Sequence, residues 1–292
     1  MRSNKVRLVL EDGTIFEGKS FGFPKSTSGE VVFATGMVGY DLSLTDPSYA
    51  GQILTFTYPL IGNWGVPSKD FWESEKIQVA GLVISDLTTA PGHWQSTRTL
   101  DAWLKEEKIP GIYAIDTRRL TQILREHGVM LGKIVIGDED VELYDPNESN
   151  LVAQVSPKAV KIHHPDNQHE SVILSPALPD EGSKKILRST QNDKKREPKI
   201  ALLNCGAKKN ILRSLLSRGA TVYELPWDYD PFDSQPVSRT RFEHRLSSAR
   251  TRFETRAPKI PRLDGLVISN GPGDPKMADK SIAIIKKAMK KK

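Results

Sequence analysis

Two stretches of the chain carry residue types that can do chemistry. The first is "SNGPGDP", Ser269 to Pro275, directly after the apolar run "DGLVI". Gly271 and Gly273 lack a Cβ, so their N–H groups can come close to a bound molecule. Pro272 and Pro275 stiffen the turn. Backbone N–H groups held this way can stabilise a developing oxyanion. On the residues alone, a structural loop explains the turn equally well. The second stretch is "GEVVFATGMVGYDLSLTDPSYAGQILTFTYPLIGNWG", Gly29 to Gly65. Several of its glycines fall beside Thr, Ser, Tyr or Asn, and Ser48 sits in the turn "TDPSY" with a hydroxyl free to donate. Nothing there pairs a nucleophile with a base, and a glycine-rich loop between strands is the plain alternative.

The single cysteine, Cys205, lies in "LLNCGAKKN", after a strand and before a helix. A thiolate at that point gains from the helix N-terminus and from Lys208 and Lys209. A nucleophile elbow, however, needs a small residue two positions before the nucleophile, and Leu203 stands there. Cys205 is therefore read as a packed loop residue and not a catalyst. One cysteine also excludes an internal disulfide framework and a cysteine-based zinc site. His163, His164 and His169 have no carboxylate or cysteine partner at helical or hairpin spacing, so no metal is expected.

The elements that must position these residues are legible from periodicity. "VRLVLEDGTIFEGKSFG" reads as two alternating strands around Asp12-Gly13, a hairpin signal. "EVVFATG", "QILTFTYP" and "IQVAGLVISD" follow as strands. In "LDAWLKEEK", Leu100, Trp103 and Leu104 share a helix face and Asp101 can pair with Lys105. In "DTRRLTQILREHG", Asp116 is an N-cap, Leu120, Ile123 and Leu124 form the stripe, and Gly128 ends the helix. "GKIVIGD" closes a mixed β/α unit. "KIALLN", "KKNILRSLLSRG" and "TVYELP" then make a strand–helix–strand unit, with Ile211, Leu212, Leu215 and Leu216 inward. Such a unit starts a parallel sheet, and "DGLVISN" is its third strand.

The net charge of +6 hides a split: residues 1–182 carry 16 Lys/Arg and 25 Asp/Glu, whereas residues 183–292 carry 26 and 11. A basic half can mark nucleic-acid contact. The sequence lacks base-stacking or base-reading motifs, and no nucleic-acid partner is expected. "RTRFE" recurs at Arg239–Glu243 and Arg250–Glu254 within a basic stretch read as a surface insert. No apolar run reaches the roughly 18 residues of a membrane span. The N-terminus has no signal-peptide h-region, so a cytoplasmic location and no membrane partner are expected.

"LVLEDGTIFEGKSFG", the Gly29–Gly65 stretch, "IDTRRLTQILREHG", "NCGAKKNILRSLLSRGA" and "ISNGPGDP" occur in this order. Together they resemble the small, glutaminase subunit of carbamoyl-phosphate synthetase, most of all the form fused into the animal multifunctional pyrimidine-synthesis protein. The resemblance implies an α/β chain in three parts. Residues 1–160 would be the small-subunit N-terminal domain, and 161–198 a linker. Residues 199–292 would be the N-terminal part of a class I glutamine amidotransferase domain with a flavodoxin-like parallel sheet and a basic insert at about 230–260.

The resemblance also implies a function. The family hydrolyses glutamine through a cysteine with a His–Glu pair and passes ammonia to a synthetase chain that makes carbamoyl phosphate for pyrimidine or arginine biosynthesis. That partner uses ATP and Mg, so no cofactor is expected in this chain. By motif match, Ser48, Gly271 and Gly273 fall where the family binds glutamine. The family's nucleophile motif, G-x-C-x-G-H-Q, occurs nowhere in the 292 residues, and the sequence is read as truncated. The expectation is that this chain alone is inactive. The alternative is a catalytically dead binding or regulatory fragment that docks on the synthetase subunit.

Overall fold

The structure is a computed structural model and describes residues 5–165, 197–232 and 260–290. The "RTRFE" repeat, His169 and most of the expected linker lie outside these residues.

Alternation at period two places Val6, Leu8 and Leu10 on one face of the first strand, β1 (Lys5–Leu10), and all three are buried. A turn through Asp12 and Gly13, with Gly13 at φ 86°, returns the chain as β2 (Ile15–Gly22), antiparallel to β1. β3 (Thr27–Ala34) leads through the short helix α1 (Tyr40–Thr45) and a helical turn at Pro47–Tyr49 to β4 (Gln52–Phe56), parallel to β3. The expected strand "IQVAGLVISD" is pared down to β6 (Gly81–Val83). Its tail forms β7 (Asp86–Leu87), which pairs instead with β5 (Leu60–Ile61).

The helix α2 (Leu100–Glu106) buries Leu100, Trp103 and Leu104 on one face, and the Trp103 ring lies 4.7 Å from that of Trp72. On its outer face Lys105 reaches Asp101 at 2.6 Å. After β8 (Pro110–Tyr113) comes α3 (Thr117–His127), where Asp116 accepts the Arg119 N–H and Gly128 ends the helix at φ 85°. Leu120, Ile123 and Leu124 point into the core of the barrel that β9 (Met130–Ile136) completes. The seven strands close in the order β1-β2-β8-β6-β4-β3-β9. Closure satisfies every strand edge.

The short helix α4 (Leu151–Val155) connects the barrel to a second sheet, ordered β10-β12-β11-β13. In that sheet β11 (Lys199–Asn204) lies parallel to both β12 (Thr221–Pro226) and β13 (Gly265–Ile268). The edge strand corrects the expected linker. Lys161–His163, placed at its start from sequence, forms β10 and pairs antiparallel with β12, Ile162 opposite Tyr223. Three polar-flanked residues carry no local strand signal; the ladder of a distant neighbour makes the strand.

The helix α5 (Lys209–Leu216) sets Ile211, Leu212, Leu215 and Leu216 against Leu202, Val222 and Val267, but each is only half-buried. On the opposite face α6 (Asp279–Lys290) buries Ile284 beside Leu203, Leu225 and the barrel-side residue Val152. Ile268 remains 42% exposed. No helix among the described residues is long and apolar enough to cross a membrane.

The second sheet therefore takes part of its cover from residues that precede it. A segment comprising residues 197–292 alone still incurs the entropy of ordering while losing that burial. Urea denaturation of the isolated segment, followed by far-UV circular dichroism, is expected to show a broad, non-cooperative transition. A sharp transition like that of the full chain would contradict it.

Candidate functional site

At the end of β11, Asn204 accepts the N–H groups of Gly206 and Ala207 at 2.8 and 2.7 Å. This side chain-to-backbone pairing curls the chain out of the sheet. The Asn204 amide donates to Glu224 at 2.6 Å, and the other Glu224 oxygen lies 2.9 Å from His163 Nε2. Burial alone would raise the Glu224 carboxyl, but the bonds from His163 and Asn204 outweigh it and hold the group below its ordinary value. His163, which has no carboxylate at helical or hairpin spacing in the sequence, thus finds one in Glu224 from a neighbouring strand. Among the described residues no cluster of three His, Cys, Asp or Glu side chains could hold a metal ion.

The "SNGPGDP" turn locks onto the Asn204 loop. Ser269 Oγ accepts the Cys205 N–H at 2.9 Å and donates to the Asn270 carbonyl at 2.7 Å. A Cβ on Gly271 would overlap the carbonyl oxygen of Cys205. The missing Cβ, read from sequence as room for a ligand, is thus already demanded by the chain itself. Gly273 has φ 71°, in the left-handed region, and a Cβ there would lie 3.3 Å from Leu151 of α4. Both glycines are exposed to solvent on their free side.

Cys205 is buried, with its sulfur 3.5 Å from the Ser281 hydroxyl, which also donates to the Trp227 carbonyl. Burial pushes the Cys205 thiol up, only partly offset by Ser281. That shift is the reverse of what an activated thiolate needs. The lysines that could have favoured a thiolate are committed elsewhere: Lys208 to Asp46 at 2.8 Å and Lys209 to Glu75 at 2.7 Å.

Ser48 comes to the turn from the barrel. Asn270 Nδ2 donates to Ser48 Oγ at 2.6 Å across a separation of 222 residues. Three residues, Asp46, Glu73 and Asn150, set that meeting. Asp46 accepts the Ser48 N–H at 3.0 Å and holds Lys208 with its other oxygen. Glu73, itself buried, accepts the Asn210 N–H at 2.9 Å through its carboxylate and the Lys209 N–H at 2.8 Å through its carbonyl. Asn150, the N-cap of α4, donates to the Met277 carbonyl at 3.0 Å.

The structure thus brings Ser48, Gly271 and Gly273 to one exposed corner. Asn270, Asp46 and Glu73 were not singled out from sequence. Asn270 sits inside the motif and Asp46 inside "TDPSY", so motif membership was their only signal; Glu73 had none.

Comparison with known proteins agrees with this pairing of parts. The family described as carbamoyl-phosphate synthase small chain, CPSase domain, matches residues 8–134. Glutamine amidotransferase class-I matches residues 201–292. The multifunctional protein pyr1-3 of Dictyostelium discoideum is 40% identical over 99% of this chain, which covers 12% of that protein. The multifunctional protein CAD of Squalus acanthias is 41% identical over 97% of the chain and 11% of its own length. The carbamoyl phosphate synthase arginine-specific small chain of Neurospora crassa is 38% identical over 98% of the chain. The chain spans about half, 54%, of that small chain.

The chain thus joins a β-rich part that matches the carbamoyl-phosphate synthase small-chain domain to a sheet that matches part of a class I glutamine amidotransferase domain. Over nearly its whole length it is similar to a carbamoyl phosphate synthase small chain.

Two outcomes test the site's architecture. Gly271→Ala must push the turn off the Cys205 carbonyl, and a loss of about 1–3 kcal/mol in urea denaturation is expected; an unchanged midpoint contradicts the close approach. The Glu224 carboxyl is held low when folded, so its contribution is present above its unfolded value of about 4.5 and lost as pH falls through the folded value. Glu224→Gln is therefore expected to flatten part of the acid-side decline in thermal midpoint. An unaltered decline would remove Glu224 from that role.

Proposed function

We propose that the chain is a glutaminase component of carbamoyl-phosphate synthase, in which Ser48, Gly271 and Gly273 bind glutamine. The supporting observation is the 2.6 Å bond between Asn270 and Ser48, which joins the glycine-rich stretch of the barrel domain to the "GPGDP" turn. In this reading the Ser48 hydroxyl and the exposed face of the turn offer glutamine polar groups from both domains. The N–H groups at Gly271 and Gly273 are donors for the carbonyl oxygen that gains charge when the amide is attacked.

The attack needs a cysteine with a His–Glu pair. None of the 292 residues provides the elbow motif, and the buried Cys205, its thiol pushed up by burial, does not replace it. In this reading the nucleophile is supplied from outside these 292 residues, and the chain by itself binds glutamine without hydrolysing it. Its partner is a synthetase chain or domain that uses ATP and Mg²⁺ to combine the released ammonia with activated bicarbonate. The location is the cytoplasm.

Isothermal titration of the chain with glutamine tests the pocket. Ser48→Ala is expected to weaken binding about tenfold, the size of one hydrogen bond to a charged or polar ligand. Equal affinity in the variant would overturn the assignment of Ser48. Alongside, affinity capture with a synthetase chain is expected to retain this chain without glutamate release. Glutamate release abolished by Cys205→Ser would overturn the reading of Cys205.

A further inference from the structure

The barrel carries a second candidate site, on the side of α3. A cleft of about 620 Å³ opens there, lined by Thr57, Pro59, Ser85, Ile115, Arg118 and Arg125, with Thr121 and Gln122 at its side. Small-molecule sites fall in the range of roughly 300–1,000 Å³. None of these residues belongs to the Ser48–Gly271 corner.

Three observations define what the cleft would take. First, the guanidiniums of Arg118 and Arg125 have no ion pair or hydrogen bond among the described residues, whereas Arg98 pairs with Glu106 and Arg213 with Glu73. They stand seven residues apart on one face of α3, about 10 Å along its axis, so their long side chains can converge on one group. Two free guanidiniums on the half of the chain with excess acidic residues stand out against its overall charge. A guanidinium fork matches the oxygens of a phosphate.

Second, the hydroxyls nearby already donate to acceptors of the chain itself. Thr121 donates to the Thr117 carbonyl at 2.7 Å, Thr57 to the Ala34 carbonyl at 3.3 Å, and Ser85 to Asp86 at 3.0 Å. What they leave toward the cleft are lone pairs, which suit hydroxyl or amine donors on a ligand. Asp116 also lines the cleft. One of its oxygens accepts the Arg119 N–H, and its charge restricts an anion to the arginine end. Third, Pro59 and the buried Ile115 give an apolar wall. Against that wall the chain holds Ala114 at φ 63°, tied by its N–H to the Ser85 carbonyl at 2.8 Å. A non-glycine residue in that region is sparsely populated, and such strain is concentrated at functional positions.

We propose that this cleft binds a small phosphate monoester carrying a ring and hydroxyl groups, of the nucleoside or sugar phosphate class. The phosphate lies between Arg118 and Arg125, the ring against Pro59 and Ile115, and the ligand's hydroxyls on Thr57 and Ser85. The site is separate from the glutamine corner and does not depend on that assignment.

The test uses the full chain and four probes: adenosine 5′-monophosphate, adenosine, inorganic phosphate and a hexaglutamate peptide, with chemical shifts of α3 amides as the readout. Saturable shifts are expected with the monophosphate, weaker ones with inorganic phosphate, and none with adenosine. Binding is expected to weaken as salt rises. Arg118→Ala with Arg125→Ala is expected to reduce affinity at least about tenfold, and the double lysine variant to restore it in part. Both arginines are exposed, so circular dichroism should show the variants folded. Equal response to adenosine, no saturable response to the monophosphate, or full binding by the folded double alanine variant would each overturn the proposal. So would shifts at α3 caused by a hexaglutamate peptide but not by the monophosphate, which would mark the cleft as a protein-docking surface.

Discussion

A buried carboxylate at the seam between the two domains sets the geometry of everything downstream. Removing a charge from water costs several kcal/mol unless partners replace the lost hydration. Glu73 is 7% exposed, and its replacement partners all belong to the other domain: the Asn210 N–H, the Arg213 guanidinium and, at its own carbonyl, the Lys209 N–H. The seam therefore cannot slide without stranding that charge. Glu73 is in turn fixed to the barrel, since its N–H donates to the buried Thr45 hydroxyl. Thr45 adjoins Asp46, and Asp46 both shapes the Ser48 turn and holds Lys208. One short run of bonds thus carries position from α5 to Ser48.

The position is carried onward by packing. The loop after β11 passes from Asn204 through Cys205 to Lys208, and the "GPGDP" turn rests on the Cys205 carbonyl with no room for a side chain. Fixing α5 fixes the loop, and fixing the loop fixes the turn. Asn270 then meets Ser48 as a consequence and not as a chance surface contact. Cys205 has a structural part in this: its N–H is held by Ser269 while its buried thiol faces Ser281. A site built from two domains needs such rigid support, because loops alone position groups loosely.

What could be read from sequence follows from how local each signal is. The β1–β2 hairpin, the Asp116 cap, the Gly128 stop and the Asp101–Lys105 pair all rest on residues within a few positions of one another, and each appears in the structure. β10 has three residues and no pattern of its own; only its ladder with β12 makes it a strand. α1 starts at Gly39 in a left-handed conformation with no side-chain cap, so neither a start signal nor a long stripe announces it. Barrel closure depends on β1 meeting β9, which no local period encodes. For the site, the motifs pointed to Ser48, Gly271 and Gly273, but not to the reason Gly271 must be glycine. That reason lies on a loop more than 60 residues earlier, where sequence shows only a cysteine before a helix.

The split of charge along the chain takes on a different meaning once the domains are in place. The acidic first part and the basic second part suggest, as strings, either a charged ligand or a solvated surface. In the structure Lys208, Lys209 and Arg213 of the basic part face Asp46, Glu75 and Glu73 of the acidic part. These pairs are unequal in weight. Glu75 is largely exposed, and an exposed pair contributes at most about 1 kcal/mol. Asp46 and Glu73 are 6% and 8% exposed at their side chains, so a wrong docking would leave them desolvated and unpaired. Their value is mostly in what they forbid, since complementary charges fix register and penalise alternatives more than they add affinity. Part of the chain's charge asymmetry is thus a docking code between its own domains, written on the same residues that bring Ser48 to the glycine turn.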